Sequence, residues 1–152
     1  MLIVEYQSKS YYRFLADMTQ VAHHNNRFLI TFNGANSDDL SSSVEDILAK
    51  TENAIQYSTI IKEQAIETEV SSLFNDVRKS RNMLLLENAD ILFDKRTAVK
   101  HSHERETNFN INHLFKSIAK HNGIVILSTD KMQTLSSAMS TKMDVVIRFP
   151  SV

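Results

Sequence analysis

Residues Met83–Leu92 read MLLLENADIL, and this stretch decides the fold class. Four apolar residues run without a polar interruption into Glu87 and Asn88, with Asp90 two positions further on. An unbroken apolar run of this length is typical of a strand that is covered on both faces, as in a parallel sheet between helices. The stretch therefore predicts a buried strand that ends in an acid and an amide, with Asp90 facing solvent just past its end.

On either side of this strand, apolar runs alternate with amphipathic segments. Four further runs predict strands, at Phe28–Phe32, Ala54–Ile61, Ile124–Leu127 and Val145–Phe149. Apolar residues at helical spacing predict helices over about 9–24 and around 40–48, 70–77 and 111–118. Strands separated by helices of about 10–15 residues imply parallel βαβ units. The pattern predicts an α/β three-layer sandwich with a five-stranded parallel sheet, and we treat 1–152 as one domain, with a strand/helix segment at 1–25 and a core at 26–150.

Composition narrows the classes of function. The net charge of −1 supplies no bulk field for nucleic acid or an anionic membrane, so neither is expected as a partner. The chain has no cysteine, which excludes disulfides and thiolate metal sites and fits a cytoplasmic protein. The opening MLIVEYQSKS turns polar too early for a signal peptide, and no run reaches the ~20 apolar residues of a membrane span.

Two kinds of catalytic site find little support. His101 and His103 lie in a charged segment without a third ligand at a defined spacing, so no metal site is expected. Ser41–Ser43 lacks the Gly-x-Ser-x-Gly elbow of a hydrolase nucleophile. The chain has only two glycines, Gly34 and Gly123, although a phosphate-binding loop needs glycine to bring its backbone N–H groups close to the anion.

Further motifs occur in a fixed order along the chain. They are Glu67-Thr68-Glu69 before the helix at 70–77, Phe93–Thr97 followed by Val99, His103, Arg105 and Asn108, then Ile126–Asp130, and finally Val145–Pro150. Together with Met83–Leu92, these motifs resemble the core of the AAA+ ATPases, a branch of the P-loop NTPases, from about residue 26 to residue 150. The resemblance implies the strand order 5-1-4-3-2, with ATP and magnesium as ligands and neighbouring subunits as partners.

The resemblance fails at the phosphate-binding loop. The family has Gly-x-x-Gly-x-Gly-Lys-Thr after its first strand; aligned here, Asn33, Asn36 and Asp38 stand at the glycines, Asp39 at the lysine and Leu40 at the threonine. An aspartate repels the phosphates that a lysine attracts, a term of roughly 4 kcal/mol per unit charge at 4 Å and an effective dielectric of about 20. Leu40 has no hydroxyl for magnesium.

The other nucleotide-handling positions also depart from the family. Glu87 stands where an aspartate holds the magnesium shell, and Asn88 stands where a glutamate orients water; an amide cannot act as that base. Asp130 replaces the sensor-1 asparagine, and Lys142 is the one cation where arginine fingers are expected. The sequence ends where the helical lid of the family would begin. We expect no catalytic residue and no bound cofactor, the alternative being ATP with magnesium held through Glu87.

Two functions follow from the resemblance and its departures. The first is a catalytically inactive AAA+-like domain that acts through protein contacts, as a scaffold or as the inactive partner of an ATPase assembly, with a protein partner or self-association. The second is a divergent ATP-binding ATPase with weak or unconventional nucleotide use. A third interpretation is a globular domain of this fold for which the family resemblance gives no information about partners.

The segment Lys95–Asn108 keeps the family pattern although the phosphate-handling positions have changed. In AAA+ rings the matching segment lies near the neighbouring subunit, so we predict interface residues there. They are Lys95, Arg96, His103 and Arg105. Arginine at such a surface offers planar bidentate pairing as well as charge. The alternatives are that these residues cap and brace the following helix within their own subunit, or that the segment is a solvated loop.

Overall fold

The computed structural model describes residues 2–21, 28–51, 55–60, 83–93, 116, 118, 123–135 and 137–150. The strands in these ranges are β1 (Leu2–Glu5), β2 (Phe28–Asn33), β3 (Ile55–Ile60), β4 (Met83–Glu87), β5 (Ile124–Ser128) and β6 (Val145–Arg148). The helices are α1 (Lys9–Val21), α2 (Ser37–Thr51) and the short α3 (Ser137–Ser140), with a 3₁₀ turn at Ala89–Phe93 directly after β4. Each of the five predicted strands is confirmed, within one residue at either end.

All strand pairs in the sheet are parallel, and the order across it is β1-β6-β2-β5-β4-β3. Counted over the five predicted strands, this is the expected order 5-1-4-3-2. The strand β1 adds a sixth at the edge, where Leu2 pairs with Val145 and Glu5 with Arg148. Because β2 lies between β5 and β6, its carboxyl end faces the ends of strands that are about 100 residues away in sequence.

Both faces of the sheet are covered, which explains the unbroken apolar runs. Successive side chains of a strand point to opposite faces, and in β2 Leu29, Ile30, Thr31 and Phe32 are all fully buried. The face that carries Ile30 and Phe32 packs on α1 and α2, through a cluster that includes Tyr11, Phe14, Met18, Val44 and Ile47. The result is the α/β layered arrangement that the sequence predicts.

The two helices on that face are joined by a buried hydroxyl. Tyr11 of α1 donates its phenol proton to Asp46 Oδ2 (2.8 Å) and lies 2.9 Å from Ser43 Oγ, both on α2. Burial raises the pKa of the Tyr11 phenol well above its usual value. Because each of these polar atoms has a partner, Tyr11 can be buried at little net cost and sets how α1 lies along α2.

Some predicted elements lie outside the described residues. They are the helix at 70–77, most of the helix at 111–118, and the segment that carries Lys95, Arg96, His103 and Arg105. Of the helix at 111–118, Lys116 and Ile118 are described, and both are helical. None of the helices in the described ranges has the length and hydrophobicity that crossing a bilayer requires.

Candidate functional site at the carboxyl ends of the strands

Three residues, Gly34–Asn36, connect β2 to α2. Gly34 adopts the left-handed conformation, with φ +81°, and a Cβ at this position would lie 3.2 Å from the backbone nitrogen of Met132. Both the turn and the close approach of the loop after β5 therefore require glycine here. The alignment with the family placed a glycine position at Asn33. In the structure, the residue that has to be glycine is Gly34, one position later.

The backbone N–H groups at the start of this connection are bonded to Thr129. Gly34 N donates to Thr129 Oγ1 (2.9 Å) and Ala35 N donates to the Thr129 carbonyl (3.0 Å), while Thr129 N donates to the Phe32 carbonyl (2.9 Å). Thr129 is fully buried. The donors that a phosphate-binding loop would turn towards its ligand are thus paired with the loop that follows β5.

Asn33 makes a second link between the same two loops. Its Nδ2 donates to the Gln133 carbonyl (2.9 Å), and its Oδ1 accepts from Gln133 N (2.7 Å). Asn33 is 3% exposed and Gln133 is half-buried, so these bonds are partly shielded from water. The side-chain amide pairs with the peptide of Gln133 much as one strand pairs with another, and it holds the loop after β5 close to β2.

The first turn of α2 is closed by its own side chains. Asn36 is the N-cap: its Oδ1 accepts from Asp39 N (2.8 Å) and its carbonyl accepts from Leu40 N (2.8 Å). Asn36 Nδ2 also donates to Asp39 Oδ2 (3.2 Å). Asp38 and Asp39 place negative charge at the positive end of the helix dipole. An anion binds a helix N-terminus through free backbone N–H groups and the helix dipole. Here the Asn36 side chain takes one of those N–H groups, and the carboxylates of Asp38 and Asp39 lie at the positive end of the dipole.

Asp90 braces the loop after β5 from the other side. Its carboxylate accepts from Asp130 N (2.9 Å), Lys131 N (3.0 Å) and Gln133 Nε2 (3.1 Å). Asp90 is half-buried, so the expectation that it simply faces solvent misses this bracing role. The sequence shows only a polar residue past a strand, whereas the pairing of β4 with β5 brings Asp90 beside a loop 40 residues away.

An open cleft of about 190 Å³ lies among these strand ends, lined by Ala35, Ser37, Leu40, Glu87, Asn88, Ser128 and Asp130. This volume is below the roughly 300–1,000 Å³ of typical small-molecule pockets. Asn88, at the carboxyl side of Glu87, is exposed and left-handed, with φ +58°. The cleft combines apolar surface from Ala35 and Leu40 with carboxylates from Glu87 and Asp130.

The sequence of the chain also matches that of a known protein family. The sequence pattern of the ATPase family associated with various cellular activities (AAA) matches residues 18–151. The chain belongs to this family. Among solved structures it is similar to PCH-2 of C. elegans, with a TM-score of 0.54 and 14% sequence identity; the match covers 93% of this chain and 42% of that chain. At such identity the likeness shows the fold alone, and the chain spans less than half the length of PCH-2. No curated protein matches the sequence.

The fold of this AAA-family chain brings some of the predicted nucleotide positions together and separates others. Leu40, Glu87, Asn88 and Asp130 line the cleft, whereas Asn33, Asn36, Asp38 and Asp39 build the loop and helix start beside it. Lys142 lies on an exposed turn after α3, where its backbone nitrogen donates to the Met139 carbonyl (3.0 Å), and it does not line the cleft. Within the described ranges, no three acidic or histidine side chains are arranged to hold a metal ion.

The residues that join the turn after β2 to the loop after β5 in this AAA-family chain were not predicted from the sequence. Thr129 and Gln133 carried no role in the motif, and Gly34 was assigned to a position between glycines. A single glycine directly after an apolar strand, in a chain with only two glycines, was the available signal for Gly34. Nothing comparable marks Thr129 or Gln133, because their role depends on β5 lying beside β2.

Proposed function

We propose that this AAA-family domain does not hydrolyse ATP and acts through protein contacts, as a scaffold or as the inactive partner of an ATPase assembly. The observation that carries the proposal is the pairing of Gly34 N and Ala35 N with Thr129. A phosphate loop works by aiming several backbone N–H groups at its anion. To turn these two donors towards a phosphate, the chain would have to break the bond from Gly34 N to the Thr129 hydroxyl and leave the carbonyl of Thr129 without its partner. An unpaired buried carbonyl costs about 1–3 kcal/mol.

The side chains around the cleft add a second argument. Asp130 gives the cleft a negative charge, and Leu40 contributes a hydrocarbon surface where magnesium needs a hydroxyl. Asn88 occupies the position of the catalytic base, and an amide cannot take a proton from water at neutral pH. The groups that would bind nucleotide, coordinate the metal and activate water are all replaced.

The alternative is a divergent ATPase that binds nucleotide weakly and uses Glu87 for magnesium. One observation favours it: Glu87 ends β4 and its side chain lines the cleft, where a carboxylate could meet a hard cation. Against it stand the small volume of the cleft and the Asp130 carboxylate. We regard protein contact as the better supported function.

We propose further that the contacts involve Lys95, Arg96, His103 and Arg105, and that the partner is another protein or a second copy of the chain. The support is the retention of the family pattern over Lys95–Asn108 while Asp39, Leu40 and Asn88 have changed. A segment that served ATP alone would have no remaining task. A cytoplasmic location accords with the lack of cysteine.

Thermal unfolding with millimolar ATP and magnesium tests the loss of nucleotide binding. A ligand at 100 times its Kd adds about 2.7 kcal/mol, which raises the Tm of a chain of this size by several degrees. We expect no such rise and no release of phosphate over the buffer control. A rise that disappears in Glu87→Gln would contradict the proposal and establish the alternative, since that substitution removes the metal-binding charge and keeps the shape of the side chain.

A further inference from the structure

The strand β1 forms one edge of the sheet, and only its inner side is paired. At its start, Leu2 N donates to the Asp144 carbonyl at 3.0 Å. Directly after its end, Tyr6 N donates to the Arg148 carbonyl of β6 at 2.8 Å. Because successive residues of a strand turn their backbone groups to alternate sides, the N–H and the carbonyl of Ile3 point away from β6. In the described ranges no strand lies on that side, so Ile3 offers both a donor and an acceptor there.

Apart from its short length, β1 lacks the features with which edge strands avoid pairing with other chains. Such edges carry lysine, proline or a bulge, whereas β1 reads LIVE and keeps an uninterrupted register with β6. The side chains of Leu2 and Ile3 are each 50% exposed. They are two of the four large hydrophobic side chains that are exposed in the described part of the chain. This edge therefore combines unpaired backbone groups with apolar surface.

We propose that β1 pairs with β1 of a second copy of the chain, antiparallel, about a two-fold axis that is perpendicular to the sheet and passes beside Ile3. Ile3 N of each copy then donates to the Ile3 carbonyl of the other, which is the closely spaced pair of hydrogen bonds of an antiparallel ladder. The two sheets become one continuous sheet. This inference goes beyond the proposed function and does not depend on it, since neither the cleft nor a nucleotide takes part.

A carbonyl that is already occupied selects this register. With the axis moved one residue, to Val4, Ile3 would lie opposite Glu5 and would need the Glu5 carbonyl as its acceptor. That carbonyl already accepts from Ser8 N at 3.1 Å and from Ser8 Oγ at 2.6 Å. A carbonyl oxygen has two lone pairs, so no further bond is available. The register centred on Ile3 uses only groups on the unpaired side of β1.

The side chains of β1 are complementary to themselves in this register. Leu2 and Val4 point to one face of the sheet, so Leu2 of each copy lies opposite Val4 of the other. Ile3 points to the opposite face and meets Ile3. The central contacts are thus all apolar, and this self-complementarity favours a second copy over an unrelated partner.

The charges at the end of β1 do not oppose the pairing. Glu5 forms an ion pair with Arg148 at 2.9 Å. Each Glu5 lies two residues from the axis, in opposite directions, so the two positions are separated by roughly 13 Å along the strands. At about 0.15 M salt, charges further apart than ~8 Å are largely screened. Repulsion between the two copies is therefore small.

The size of the strand sets the expected strength of the association. β1 has four residues, whereas a standard interface has roughly 20–30 residues a side. We therefore expect a weak, reversible dimer that forms at high protein concentration. Sedimentation equilibrium of the full chain, over a concentration series that extends into the submillimolar range, measures it.

Amide hydrogen exchange, followed by nuclear magnetic resonance on the same samples, reports where the contact lies. The Ile3 amide should become protected as the dimer forms, because its N–H then has a partner. The Val4 amide points towards β6 and should be protected equally at every concentration. This measurement uses the unsubstituted chain, so it decides the question even if a variant does not fold.

Two substitutions distinguish strand pairing from simple apolar contact. Ile3→Lys places a charge at the axis in both copies and should abolish the dimer, as lysine does on natural edges. Ile3→Pro removes the outward N–H, keeps an apolar side chain, and should also abolish the dimer. Proline is tolerated on an edge strand where the N–H faces solvent, so the circular dichroism of the monomer should not change. Tyr12→Lys, at an exposed hydrophobic residue of α1, is the control and should leave the dimer intact.

Four results would overturn the proposal. They are a chain that stays monomeric throughout the series, a dimer that survives Ile3→Pro, a dimer that Tyr12→Lys also abolishes, and an Ile3 amide whose protection does not change with concentration. The last result would mean that another segment of the same chain covers the edge. Replacing Arg96 and Arg105 together by alanine should leave the β1 pairing intact and remove only contacts made by their own segment. Loss of the β1 dimer in that variant would likewise contradict the proposal.

Discussion

The side-chain amide of Asn33 pairs with the backbone of Gln133 through two hydrogen bonds, from Nδ2 to the carbonyl at 2.9 Å and from Gln133 N to Oδ1 at 2.7 Å. The two residues are 100 positions apart in sequence and meet because β5 lies beside β2. Together with the bonds of Thr129 and Asp90, this pair fixes the loop after β5 against the turn at Gly34. The carboxyl edge of the sheet is thereby held together by its own side chains.

Replacing Asn33 by alanine should destabilise the protein by about 1–3 kcal/mol, because it leaves the N–H and the carbonyl of half-buried Gln133 without their partners. Urea unfolding monitored by circular dichroism measures the loss. Thr134→Ala, a truncation of an exposed residue in the same loop, is the control and should change the free energy of unfolding by less than about 0.5 kcal/mol. Equal effects of the two substitutions would show that the pair contributes little.

Two threonine-to-valine substitutions should have opposite effects, although both sites are fully buried. Thr129→Val removes the hydroxyl that accepts the Gly34 N–H and should cost about 1–3 kcal/mol. The hydroxyl of Thr31 has no hydrogen-bond partner in the described part of the chain, so Thr31→Val should be neutral or stabilising by up to about 1 kcal/mol. The shapes of threonine and valine are nearly equal, which makes each variant a control for the other. A large loss from Thr31→Val would reveal a partner for its hydroxyl.

Gly34→Ala should destabilise the fold by about 1–3 kcal/mol. The left-handed φ of +81° strains any residue with a Cβ, and the new methyl group would lie 3.2 Å from Met132 N. The midpoint of urea unfolding is the measurement, with Ser42→Ala on the exposed face of α2 as the reference. If the midpoint of Gly34→Ala stays within error of that reference, the turn does not require glycine.

Replacing Arg96 and Arg105 together by alanine distinguishes a contact surface from an internal brace. If these residues contact a partner, the Tm stays unchanged and self-association or partner binding is lost, as measured by analytical ultracentrifugation or pull-down. Arg13→Ala, which truncates an exposed arginine of α1, should alter neither quantity. A large fall in Tm with association intact would instead assign Arg96 and Arg105 to capping the following helix.

The sequence by itself determined the layers and five of the six strands that the described residues form; the edge strand β1 was not among the predicted five. Apolar runs such as Met83–Leu86 and Ile124–Leu127 can be buried on both faces only in a covered parallel sheet, so composition and spacing were sufficient. The family motifs added the order of the strands. The departures from the family pattern at Asp39, Leu40 and Asn88 could be recognised from the sequence alone. The charge and the hydrogen-bonding capacity of a side chain are properties of the residue itself.

Only the tertiary structure decided which polar residues act together. Asp90 was expected in solvent, and Thr129 and Gln133 had no predicted role, yet these three residues hold the loops of β2 and β5 in place. Hydrogen bonds depend on distances of about 3 Å between atoms, and no local pattern encodes a distance between segments 40 to 100 residues apart. Parallel strand pairing sets those distances, so the roles of Asn33, Thr129 and Asp90 exist only in the folded chain.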